Sequence, residues 1–317
     1  MADGQALGSR LAAGDRSAAA EALNALERQD TPETAEALLD ATGPRSLGSE
    51  APGHLVGVTG PPGAGKSSLL GRLLEHWRSA QRSVGVLAVD PSSRRSGGSL
   101  LGDRARIAVD PADPDAIVRS MAAGDELGGL ARPTRAAAQA LTAAFDVVVV
   151  ETVGVGQSET DVSELADTTV LVVQPASGDI LQFLKAGVME VPDILVVTKA
   201  DLGAPALRSV GDLQAAVGAL GITHVPVLSV STVHPVTGVA ELAAAIDEHH
   251  SQVDVAERRA RARRSMALSD FAREHGERGL RAVGGRRRAA RWLGERDPAS
   301  SAAELRRALE GRAGQDR

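Results

Sequence analysis

Residues 60–67 read Gly-Pro-Pro-Gly-Ala-Gly-Lys-Ser, and they follow directly on the apolar run of residues 54–59. A helix-like stretch begins at Ser67. This is the G-x-x-x-x-G-K-[ST] phosphate loop in the setting it requires, a strand in front and a helix behind. Gly60, Gly63 and Gly65 let the backbone curl, so that successive N–H groups converge on one centre where phosphate oxygens sit. Pro61, Pro62 and Ala64 complete the loop, and Ser68 lies in the first helical turn. The helix N-terminus adds partial positive charge. The spacing predicts a nucleoside triphosphate ligand, with Lys66 reaching the β- and γ-phosphates and the Ser67 hydroxyl on Mg2+.

Strand-like and helix-like segments then alternate. Apolar, β-branched runs occupy residues 83–89, 145–150, 168–173, 193–198 and 225–230. They are nearly continuous rather than alternating, as strands buried on both faces are. Helix-like segments lie near 66–81, 131–144, 178–190, 205–220 and 236–250. This order predicts an α/β fold of the P-loop NTPase type, a doubly wound, mostly parallel sheet with the nucleotide at the strand C-termini. Three parts are expected: an N-terminal helical extension over 1–50, the P-loop domain over 51–251, and an Arg-rich helical extension over 252–317. In the first, Ser17 reads as the N-cap of a helix from Ala18, with Glu21 near capping-box spacing. In the last, Asp and Glu are interspersed with Arg and stacking aromatics are few, so it reads as a solvated face on packing helices.

Composition narrows the rest. The chain has 317 residues, 43% apolar and 24% charged, the balance of a globular protein. Aromatics are 2%, so the core must be Ala, Val, Leu and Ile. The absence of Cys excludes disulfides, thiolate metal sites and a Cys nucleophile. A net charge of −6 argues against general nucleic-acid binding. No apolar run approaches the ~20 residues of a membrane span, and no secretory signal is visible at the N-terminus, so a cytoplasmic location is expected. The histidines lack metal-ligand spacing, and His249-His250 read as a solvated helix end.

Three further segments fit a nucleotide site. Glu151 ends the apolar run 145–150, where an acid can hold Mg2+ through water, and Gly154 can bring its N–H to a γ-phosphate. Residues 155–157 continue a glycine-rich stretch able to move when phosphate leaves. Asp90 ends the run 83–89, and Asp103 follows beyond a Pro/Ser/Gly-rich segment; both acids gather where the metal is expected. Residues 198–201, Thr-Lys-Ala-Asp, end the run 193–198. There the Asp201 carboxylate can accept the N1–H and N2–H of guanine, and Lys199 can lay its stem over the base. Ser229, with Val230 and Ser231, can close the pocket. GTP is thereby expected over ATP.

Together, residues 86–93, 96–103, 127–132, 151–158 and 178–190 closely resemble the MeaB/ArgK GTPases, the G-protein chaperones of methylmalonyl-CoA mutase. The likeness runs from about residue 13 to about residue 250. It implies a GTPase that binds GTP or GDP with Mg2+, and that gates cofactor loading and guards an adenosylcobalamin-dependent acyl-CoA mutase. It implies homodimers built through C-terminal helical arms, with neither nucleic acid nor membrane as partner. By residue, it places Ser67, Asp90, Asp103 and Glu151 around the metal, Lys66 on phosphate, and Lys199 and Asp201 on guanine, with Thr198 opening that base motif. Gln182 and Lys185 fall in a third switch segment, where docking of the partner repositions Lys185 for hydrolysis. The chain departs from the family pattern at Thr198, where Asn is usual, at residues 120–126, and over 252–317. The alternative is a kinase passing phosphate to a small molecule or transport protein, as the older ArgK label has it. That reading needs an acceptor pocket with a base, and the sequence offers none beyond the nucleotide residues.

Overall fold

A computed structural model of the chain describes residues 3–27, 32–90, 107, 110, 112–122, 130–152, 158–175, 192–222 and 224–315. Its strands are β1 (His54–Thr59), β2 (Val84–Asp90), β3 (Ala116–Ala122), β4 (Val147–Glu151), β5 (Thr168–Val173), β6 (Ile194–Val197) and β7 (Val227–Ser229). They form one sheet in the order β3-β2-β4-β1-β5-β6-β7, and every pairing is parallel. β1, β4, β5 and β6 are buried at every residue. Helices cover both faces, which is why these strands are dominated by Val, Ile and Leu rather than alternating with polar residues.

The helices are α1 (Gly4–Ala12), α2 (Ala19–Glu27), α3 (Pro32–Ala41), α4 (Pro44–Leu47), α5 (Lys66–Ser79), α6 (Arg132–Leu141) and α7 (Ser158–Leu165). They continue with α8 (Ala204–Ala219), α9 (Val239–Gln252), α10 (Val255–Ala282), α11 (Arg286–Gly294) and α12 (Ala302–Gln315). On one face, Leu55, Val148 and Val150 pack with Leu141 and Phe145, and that cluster extends to Leu11, Leu23 and Leu38 of the N-terminal helices. On the other face, Val56, Val58 and Val149 pack with Leu69, Leu73 and Trp77 of α5 and with Leu242 and Ile246 of α9. α8 covers the β5–β6 side with Ala206, Leu213 and Val217. Each fully buried Leu or Val contributes about 1.5–3 kcal/mol. α10, α11 and α12 share a smaller cluster around Phe271, Leu293 and Leu309. A capping box starts α12: the Ser301 hydroxyl accepts from Glu304 N at 3.2 Å, and the Glu304 carboxylate from Ser301 N at 2.9 Å.

The doubly wound parallel sheet is as the sequence predicts, with four differences. β3 is an additional strand. It lies at the sheet edge and is half-buried, so Arg119 and Ser120 interrupt its apolar pattern. α7 is a further element, while the helix expected over 178–190 lies outside the described residues. At the N-terminus Asp15, not Ser17, is the cap: its carboxylate accepts from Ser17 N at 3.0 Å and opens a short turn, Arg16–Ala18. Finally, the His249-His250 pair and the start of the Arg-rich segment are structural rather than solvated.

These last groups bind the lower, N-terminal end of the sheet. Arg259 of α10 forms a two-pronged pair with the fully buried Asp167, at 2.9 and 2.6 Å, and donates to the carbonyls of Ala51 and Gly53. Asp167 also accepts from Leu55 N at 2.9 Å. Arg263 pairs with Glu50, and Arg258 with Asp193. The Thr168 hydroxyl sits 2.8 Å from both His54 Nε2 and His249 Nδ1, and His249 Nε2 lies 3.1 Å from Asp193. His250 stacks on His54 at a centroid distance of 3.9 Å.

Two expectations follow from this end. Removing one member of a buried pair strands the other charge, so Arg259→Ala should lower the unfolding free energy by about 3–5 kcal/mol in urea titration. Exposed Arg287→Ala should stay within about 0.5 kcal/mol. Burial first, then the positive charges of its neighbours, pushes the His54 pKa down from 6.5 to about 2, and burial lowers that of His250. His54 Nδ1 has no partner among the described residues, so a second ring proton finds no acceptor. Below pH about 6.5 the unfolded chain therefore takes up protons that the folded one refuses, and stability falls as pH drops. Burial alone would raise the Asp193 pKa, but His249 and Arg258 outweigh it and lower the value, so the stability from this group is lost only at more acidic pH, below the ordinary carboxylate value of 3.8. The melting temperature should fall from pH 7 to pH 5, and His54→Asn should flatten that fall.

Candidate nucleotide-binding site

At the opposite end of the sheet the chain leaves β1 through Gly60. Its φ is +140°, and a Cβ there would lie 2.0 Å from the Val172 carbonyl oxygen, so the loop crosses β5 where only glycine fits. The loop turns back on itself, Ala64 N donating to Pro61 O at 3.2 Å, and enters α5 at Lys66, with Ser68 in the first turn. Lys66 is 7% exposed, and its Nζ donates to the carbonyls of Gly60 (2.7 Å) and Pro61 (3.2 Å). The ammonium therefore lies against the loop, beneath the N-terminus of α5.

β1 and β4 are neighbours in register, Val58 opposite Glu151, which brings the end of β4 under the phosphate loop. The Ser67 hydroxyl donates to Glu151 Oε1 at 3.0 Å. Just below, the hydroxyls of Thr59 and Thr152 lie 3.0 Å apart and tie the two strand ends together. Glu151 is 3% exposed. A hydroxyl and a carboxylate at this separation are hard oxygen donors, the chemistry that suits Mg2+.

The Thr-Lys-Ala-Asp segment lies two strands away from β1. Thr198 follows β6 and is buried. Its Oγ1 is 2.5 Å from the Ala64 carbonyl and 3.0 Å from that of Val173. It braces the phosphate loop from below. Lys199, at φ +54°, reaches the Gln174 carboxamide oxygen at 2.5 Å. Asp201 is exposed on the short turn Ala200–Leu202, which is stitched to the end of β7 by Ala200 N to Val230 O at 3.1 Å. Ser231, fully buried, lies 3.4 Å from Asp201 Oδ1. Ser229 pairs with Val197 inside the sheet; its carbonyl lies where a Cβ at Gly238 (φ +79°) would come within 2.1 Å. Ser231 rather than Ser229 is thus the serine beside Asp201.

The structure brings Lys66, Ser67 and Glu151 together, and sets Thr198, Lys199 and Asp201 beside them along the strand C-termini. Asp90 is the last residue of β2, and its side chain lies outside the described part. Asp103, Gly154, Gln182 and Lys185 also lie outside the described residues. Gln174 is a site neighbour that the sequence left unmarked; its position directly after β5 is the one available signal. Among the described residues Glu274, His275 and Glu310 also converge. Arg306 bonds both carboxylates, at 3.0 and 2.7 Å, so this cluster is already an ion-pair network. The Thr198 brace has a direct test. Thr198→Val keeps the shape but strands the buried Ala64 carbonyl, while Val173 O still accepts from the backbone N of residue 198 at 2.9 Å; it should cost about 1–3 kcal/mol in thermal denaturation, whereas Thr198→Ser should cost far less.

The sequence profile described as "Methylmalonyl Co-A mutase-associated GTPase MeaB" matches residues 19–281. A Pyrococcus horikoshii protein with GTPase in its name is 47% identical over 193 residues, which cover 61% of this chain and 59% of that protein. A Mycobacterium tuberculosis protein, likewise named a GTPase, is 42% identical over 245 residues, 74% of this chain and 71% of the relative. The match thus spans about three fifths of the archaeal relative's length. The crystal structure of an LAO/AO transport system kinase is 26% identical and superposes with a TM-score of 0.64, covering 96% of this chain and 95% of that one. With a phosphate loop, an acid beneath it and a Lys-x-Asp turn in one fold, the chain belongs to the MeaB family of methylmalonyl Co-A mutase-associated GTPases.

Proposed function

We propose that this protein binds GTP and hydrolyses it to GDP and phosphate, and that the cycle switches its hold on an adenosylcobalamin-dependent acyl-CoA mutase. The observation that carries the reading is the Ser67–Glu151 hydrogen bond under the phosphate loop, on the same sheet edge as Asp201. Loop N–H groups and Lys66 hold the triphosphate and neutralise charge on the transferring phosphoryl group, with water as nucleophile. Ser67 directly, and Glu151 through water, would hold Mg2+, which supplies further charge neutralisation between the phosphates. Asp201 accepts the two guanine N–H groups and Lys199 covers the base. Asp90, Asp103 and Gly154 near the γ-phosphate, and Gln182 and Lys185 as a partner-driven switch, complete the proposal by family resemblance.

The mutase is proposed from the family description, which associates these GTPases with methylmalonyl-CoA mutase. A homodimer formed through the 252–317 extension and a cytoplasmic location belong to the same proposal. No helix among the described residues is long and apolar enough to cross a membrane. The kinase name of the solved relative applies to that protein. The family description and the matched relatives carry GTPase in their names, which favours phosphate transfer to water.

Lys66→Ala should abolish tight GTP binding in calorimetry. Asp201→Asn should erode the preference for GTP over ATP by about tenfold or more. Turnover should rise when a methylmalonyl-CoA mutase is added. Equal turnover with and without the mutase, and no joint peak on a sizing column, would remove the switch reading.

A further inference from the structure

The helix that carries Lys66 and Ser67 at its start also reaches the far side of the site. Arg72, on α5, donates from Nε to the Thr232 carbonyl at 3.0 Å. Its Nη1 is held by Glu75, one turn along, at 2.8 Å. Thr232 lies in the loop 231–237 that follows β7. That loop is a closed ring: Ser231 N donates to Thr237 O at 3.0 Å, and Thr237 N donates back to Ser231 O at 3.2 Å. Inside the ring the Ser231 hydroxyl is 2.9 Å from Val233 O and 3.4 Å from Asp201 Oδ1. Val233 and Val236 stand out into solvent, 51% and 39% exposed, so little apolar burial holds the loop. A loop of this kind keeps its place through polar ties to a rigid element.

Resting on the guanine reading of Asp201 given above, we infer that Arg72 is a positioning residue for base selection. It fixes the 231–237 ring against α5, and the ring keeps Ser231 beside the Asp201 carboxylate. The guanidinium suits this task because it is planar: Glu75 holds one arm and thereby orients the Nε–H toward Thr232. Phosphate grip and base grip are thus joined through one and a half turns of α5. Loss of Arg72 lets the ring drift and blunts the contacts of Asp201 with guanine. The phosphate loop, anchored by Thr198 and by the sheet, keeps its shape.

The test compares three probes on the full chain, GDP, inosine diphosphate, which lacks the 2-amino group, and inorganic tripolyphosphate, with ADP run on wild type to check the guanine reading. Wild type should prefer GDP to inosine diphosphate. Arg72→Ala should weaken GDP about tenfold, inosine diphosphate clearly less, and tripolyphosphate by no more than about twofold. Arg72→Lys, which retains a cationic donor group without the planar fork, should recover part of the selectivity. Equal losses across all three probes would mean that Arg72 merely supports α5, and would overturn the inference. So would an unchanged GDP to inosine diphosphate ratio. If wild type does not prefer GDP to ADP, the guanine reading itself fails, and this inference with it. Should Arg72→Ala not fold, Arg72→Gln and Glu75→Ala report the same ratio and decide in the same way.

Discussion

The register of β1 between β4 and β5 is the constraint on which the nucleotide end depends. It sets Val58 opposite Glu151 and Thr59 opposite Leu171, so the chain that leaves β1 meets the acid of one neighbour and crosses the backbone of the other. A slip of one residue would move Glu151 by about 3.3 Å and turn its side chain to the other face of the sheet. The Ser67–Glu151 and Thr59–Thr152 contacts could not then form. Gly60 tightens the constraint, because its approach to Val172 leaves no room for a side chain.

The two ends of the sheet are built on opposite physical terms. At the C-terminal edge, Lys66, Ser67 and Glu151 are drawn together under the phosphate loop, and Asp201 stands exposed on the turn after β6. At the N-terminal edge, buried and half-buried charges are already paired: Asp167 with Arg259, Asp193 with Arg258, Glu50 with Arg263, with His249 beside Asp193. Such pairs add little net stability over apolar packing, but they leave few alternatives for where α10 can dock. The C-terminal helices are therefore fastened to the floor of the sheet whose roof carries the phosphate loop.

Much of this was legible in the chain itself. The phosphate loop was, because its glycines and its Lys-Ser pair are local requirements set by neighbouring residues. The buried strands were, because a strand covered on both faces needs an unbroken apolar run. β3 was not, since an edge strand covered only in part tolerates Arg119 and Ser120. The roles of Arg259 and of His249-His250 were not, since an Arg or His on a helix looks the same in sequence whether it meets water or a buried Asp ninety residues away. Ser231 was named only as a neighbour of Ser229; which of the two faces Asp201 depends on where β7 ends.

The sequence by itself determined that a triphosphate-gripping turn stands between a buried strand and a helix, and that a doubly wound sheet surrounds it. Those features rest on short-range backbone geometry and on hydrophobic periodicity, both written in adjacent residues. Only the tertiary structure decided which carbonyls Thr198 braces, which acid Ser67 meets, and that Arg72 of α5 meets the loop after β7. Each of these joins residues far apart in the chain, and strand register and helix docking, not local pattern, bring them within hydrogen-bond distance.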